Sequence, residues 1–150
     1  MKGLLDSAGA YRSGGVGVIG ENEIVHMAPP ANRVPRLMEN LFRWLQETDL
    51  HPLVASSIFH YEFEFIHPFE DGNGRMGRFW LSLLLYRWSP VFEYLPIESI
   101  IFVHQQDYYE ALNQSTHSGD SAPFLSFMLK IIHETLSLTL KSRPLVSSTG

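Results

Sequence analysis

The sequence predicts an all-α bundle carrying one small β-hairpin. Apolar residues recur at helical spacing through most of the chain beyond residue 35. Prolines and glycines punctuate those stretches, and β-branched residues flanking a glycine-rich turn occur only near the start. With 150 residues, 45% of them hydrophobic and 13% aromatic, the chain can bury one core as a single domain, residues 1–150.

Each element follows from its residues. Gly15 to Ile19 and Glu23 to Met27 read as the two arms of the hairpin, with Gly20-Glu21-Asn22 as its turn. After the Pro29-Pro30 break, Leu37, Met38, Leu41, Trp44 and Leu45 form the apolar stripe of a helix from Pro35 to Gln46. His51-Pro52 opens a second helix to about Phe65, since proline suits a first turn where no N–H is needed. Pro68 stops it. A turn at Gly72-Asn73-Gly74 leads into a third helix, Arg75 to Trp88. Its apolar residues lie on all sides, which predicts the central buried helix. Two further helices are expected at about Glu98 to Gln114 and Pro123 to Lys141, followed by a flexible tail. Trp44, Trp80 and Trp88 are read as core.

Composition narrows the function. A net charge of −5 disfavours nucleic acid as a partner, because phosphate-backbone binding needs a basic face. The absence of cysteine removes disulfides and thiolate zinc sites, and no apolar run approaches the roughly 20 residues of a membrane span, so a cytoplasmic protein is expected.

The chemistry concentrates in HPFEDGNGRMGR, His67 to Arg78. Its GxGxxG pattern, Gly72 to Gly77, follows a helix instead of a buried strand, which argues against a dinucleotide fold. The other match, Gly15 to Gly20, lacks the lysine that a kinase loop needs, since Lys2, Lys130 and Lys141 are the only lysines. What remains is an anion site. Backbone amides of Gly72, Asn73 and Gly74 precede a helix N-terminus, and Arg75 and Arg78 should project to one side of it. Asp71 offers a hard oxygen suited to Mg²⁺ beside a phosphate, with Glu70 as the alternative ligand. His67 is placed to accept a proton. The bland reading is a glycine turn with two solvated arginines, but His67 and Asp71 beside it favour phosphoryl or nucleotidyl transfer. His60, Glu64 and His67 have metal-like spacing without a recognised zinc motif. The other histidines read as structural or exposed.

This block resembles the signature of the Fic (Fic/Doc) family, His-x-Phe-x-(Asp/Glu)-Gly-Asn-Gly-Arg-x-x-Arg, through His67, Phe69, Asp71, Gly72, Asn73, Gly74, Arg75 and Arg78. The likeness extends over about residues 10–140. It implies a Fic-type helical bundle whose hairpin is a target-docking flap, with Val16 and Val18 in it. It also implies transfer of AMP from ATP, with Mg²⁺, to a Ser, Thr or Tyr hydroxyl of a target protein. By resemblance His67 is the general base, Asp71 holds Mg²⁺, and Gly72, Asn73, Gly74, Arg75, Gly77 and Arg78 bind the phosphates. Phe69 is a core anchor. Tyr109 lies near the base or ribose, and Thr116 stands where relatives can have asparagine. A Fic-type phosphotransferase and a nucleotide-gated regulatory module are the alternatives. Many Fic proteins are restrained by a glutamate in (Ser/Thr)-x-x-x-Glu-(Gly/Asn). Glu21, Glu39 and Glu93 each fail that pattern, so an antitoxin-like partner or a further segment is expected to supply it.

Overall fold

The computed structural model describes residues 7–19 and 24–142. Strands β1 (Gly17–Ile19) and β2 (Ile24–Met27) pair antiparallel, Gly17 opposite Met27 and Val18 opposite His26, with a register shift after Val18. The expected turn at Gly20-Glu21-Asn22 and nearly all of the C-terminal tail lie outside the described residues. Six helices follow: α1 (Val34–Glu47), α2 (Pro52–Ile66), α3 (Asn73–Trp88), α4 (Ile97–Val103), α5 (Gln105–Ser118) and α6 (Ala122–Ser142).

Local chemistry fixes most of the helix ends. Pro35 sits in the first turn of α1, and Val34, Met38 and Leu41 form its buried stripe. Pro52 opens α2, and the His51 ring accepts the Leu53 N–H at 3.2 Å, so this histidine is a cap. Gly119, at φ 65°, ends α5 in the left-handed conformation that glycine adopts without steric cost.

Three expectations are corrected. The central helix is α2, which buries Phe59, Phe63 and Ile66 against α1 and Tyr61 against α5 and α6. Helix α3 buries only Asn73, Gly77, Leu81 and Leu85 and leaves Phe79 56% exposed. Its apolar residues lie on all sides in sequence, but Gly77 brings one face close to α2 while the opposite face stays in solvent. Trp88 is likewise 42% exposed, packing on His51 and Phe92. Lastly, the helix expected from Glu98 to Gln114 is two. The hydrogen-bond ladder passes through His104, whose N–H reaches Ile100 and whose carbonyl accepts from Tyr108. Its backbone nevertheless leaves helical geometry at φ −101°, ψ 30°. The His104 ring there lies between two carboxylates, 3.6 Å from Asp107 of α5 and 3.7 Å from Glu134 of α6.

Candidate active site

Helix α2 ends at His67, the one non-glycine residue among those described with positive φ (50°). A β-carbon there crowds the backbone, and the following Pro68 disfavours helical conformations further. The conformation is held from a distance. Buried Arg12 donates through Nε to the His67 carbonyl at 2.8 Å and through Nη2 to the Ile66 carbonyl at 3.2 Å. The same guanidinium also donates to the carbonyls of Gly14 and Pro29, which flank the strand pair. Nothing in local sequence pattern marks this residue, because its partners at the end of α2 are more than fifty positions away.

The loop after His67 is fastened by Asn73. Its buried side chain donates to the Phe69 carbonyl and accepts the Phe69 N–H, each at 2.8 Å. Phe69 in turn packs on Tyr11 and Phe63 as the anchor expected of it. Gly72, at φ 83°, turns the chain into α3, and its carbonyl accepts from Met76 to close the first helical turn. That is why α3 starts at Asn73, ahead of Arg75. The N-terminal amides of a helix have no intrahelical partners and attract anions. The Gly72 N–H, however, is bonded to Asp71 Oδ1 at 2.6 Å.

The two arginines diverge, correcting the expectation of a shared side. Arg75 folds back to Asp71 at 3.4 Å and lines a 440 Å³ cavity with Phe69 and Met76. Arg78 pairs with Glu98 at 3.3 Å and lines a 640 Å³ cavity with Gln105, Tyr108 and Tyr109. Each arginine thus pairs with a carboxylate. Glu98 escapes the restraint pattern because Tyr94 stands four residues before it and Ser99 follows it. Asp71 is exposed, and Glu70 accepts from Ser7. Among the described residues no group of three or more His, Asp or Glu gathers to hold a metal ion. Asp71 could hold an ion such as Mg²⁺, with phosphate oxygens and water filling the rest of its shell.

Beneath this loop lies a buried polar row that the sequence indicated only as metal-like spacing. His67 Nδ1 is 3.4 Å from the Glu64 carbonyl and 4.0 Å from its carboxylate. Glu64 is 5% exposed. Burial pushes its carboxyl up to about 7, with the Arg78 charge pulling the other way. His60 Nε2 lies 3.0 Å from the Tyr108 hydroxyl. Burial lowers the His60 imidazole to about 4; a backbone contact with Gly77 opposes this and Arg78 adds to it. Gly77 lies against this row. A β-carbon there would collide with Glu64 Oε1 and stand 3.1 Å from the His60 ring.

With this geometry in view, the family model described as "Fic/DOC family" matches residues 1–85, more than half of the chain. The chain belongs to the Fic/DOC family. A protein named "Protein adenylyltransferase Fic" from Nematostella vectensis is 36% identical over 138 residues, covering 90% of this chain and 30% of its own length. Its namesake from Drosophila grimshawi is 34% identical over 118 residues, covering 77% of this chain and 23% of its own. The chain therefore spans less than a third of these curated relatives. The crystal structure of a Fic family protein from Desulfovibrio desulfuricans G20 superposes with a TM-score of 0.91 at 52% identity, over 99% of this chain and 46% of that one. A Fic domain containing signaling protein from Bacteroides thetaiotaomicron VPI-5482, at 23% identity and a TM-score of 0.60, shares the fold. No helix among the described residues of this Fic domain is long and apolar enough to cross a membrane.

Proposed function

We propose that this Fic domain transfers AMP from ATP to a hydroxyl of a target protein. The observation that carries the reading is the intact His67–Arg78 block, held by Arg12 and Asn73 and flanked by the Arg78–Tyr109 cavity. The relatives named as protein adenylyltransferases agree with it.

With Nδ1 turned to the Glu64 carbonyl, the tautomer protonated there leaves Nε2 as the base. Nε2 takes the proton from a Ser, Thr or Tyr hydroxyl, whose oxygen bonds to the α-phosphorus. The bond from that phosphorus to the bridging oxygen breaks, and pyrophosphate leaves with the electron pair. Asp71 would hold Mg²⁺ against the phosphates, neutralising charge there when the ion is bound. Arg75 and Arg78 exchange their carboxylate partners for phosphate oxygens, helped by the loop amides. Tyr109, packed edge-on against Tyr108, offers a face to the base or ribose. The β1–β2 pair serves as a flap on which a target segment adds as a strand. Val18→Pro should therefore impair target modification more than ATP binding, and equal loss of both would count against docking there.

His67→Ala tests the base. Transfer should fall by about 10²- to 10⁴-fold while ATP affinity stays nearly unchanged, because only proton transfer is removed. Loss of affinity in the same proportion would make His67 a structural residue.

A further inference from the structure

We infer that Glu64 is a positioning residue for His67, its carboxylate orienting the ring from below and balancing the charge that the ring acquires, and that Gly77 leaves the space it occupies. The inference rests on His67 being the base and adds to that reading a residue outside the His67–Arg78 block.

Three observations carry it. The Glu64 carboxylate is 4.0 Å from His67 Nδ1, on the ring edge opposite the nitrogen proposed as the base. It is buried, and its Oε1 has no hydrogen-bond partner among the described residues. A buried acidic group left in that state costs stability, so a structural role alone gives no reason for a carboxylate here. Finally, Gly77 is buried where any side chain would collide with Glu64 Oε1. Helix α3 thus gives up a core side chain at the point where the carboxylate sits.

The charge of Glu64 is set by its surroundings: His60 and His67 along α2, Arg78 from α3 and Tyr108 from α5. Burial favours the protonated acid, while Arg78 favours the carboxylate. When His67 takes a proton from the target hydroxyl, the positive ring faces this group across 4.0 Å in a poorly solvated region. There the attraction is less screened than in water.

The test is an NMR titration of the full chain with ¹³C-labelled histidine, comparing wild type, Glu64→Gln and Gly77→Ala. Glu64→Gln keeps the volume and removes the charge, so the midpoint of the His67 ring should fall by about one pH unit. Gly77→Ala keeps the charge and pushes it away, so it should move the midpoint in the same direction. If that variant does not fold, Glu64→Gln decides alone. A His67 midpoint in folded Glu64→Gln within about 0.2 of wild type overturns the inference. Label transfer from α-labelled ATP is measured in parallel. If wild type transfers nothing but the midpoint moves, the proposed reaction fails and the pairing stands; if wild type transfers and the midpoint is fixed, the pairing fails. With both intact, the maximal transfer rate of Glu64→Gln should drop about tenfold or more with little change in the KM for ATP.

Discussion

Glu64 and His60 stand one helical turn apart on α2, both buried, and their protonation affects stability in opposite senses. The folded Glu64 titrates near 7 against 4.5 for the free group, so the folded chain keeps a proton there that the unfolded chain releases. Its contribution is present below pH 4.5 and lost as pH rises toward 7. His60 titrates near 4 against 6.5, so its contribution is present above pH 6.5 and lost as pH falls toward 4. Between about 4.5 and 6.5 the two offset each other. Replacing Glu64 exposes the imbalance. Glu64→Gln should be more stable than wild type at pH 8 by on the order of 1–3 kcal/mol, with the gap closing near pH 4.5. Denaturant midpoints at the two pH values check this, and an equal gap at both would mean that Glu64 carries no buried charge. At this scale the sequence showed the block itself. The spacing of His60, Glu64 and His67 was visible as well, but not that Gly77 would bury two of them.

Among the elements, those whose ends depend on local chemistry were legible. Helices α1, α2 and α6 lie within two residues of where proline and apolar spacing put them. What sequence missed depends on contacts between elements. The break at His104 lies beside Glu134 of another helix, and the exposed face of α3 lies opposite its close approach to α2 at Gly77. Arg12 is the strongest instance, since one guanidinium joins the strand pair to the end of α2 through four carbonyls. Arg12→Met keeps the apolar stem and strands those carbonyls. It should lower stability by about 2–4 kcal/mol, given charged hydrogen bonds of about 1.5–3 kcal/mol each and some rescue by water. Transfer should fall at least about tenfold even where the chain stays folded, because His67 loses its imposed conformation. A fully active Arg12→Met with an unchanged midpoint would show that the loop holds itself.

At the scale of the whole molecule, α2 stands between two core clusters and delivers His67 at its end, while α3 begins at the turn that receives phosphate in the proposed reaction. The bundle was readable because helix spacing, prolines and the signature block all agreed. The separation of Arg75 and Arg78 into two cavities was not, since it depends on Glu98 and Asp71 drawing them apart. The central claim is the identity of the transferred group, and it is tested most directly by incubating the chain with Mg²⁺, a lysate and ATP labelled at the α-phosphate or, in parallel, at the γ-phosphate. Protein should take up label from α-labelled ATP alone, and the His67→Ala chain should take up at least about a hundredfold less; label arriving from γ-labelled ATP instead would contradict AMP transfer and make the domain a phosphotransferase.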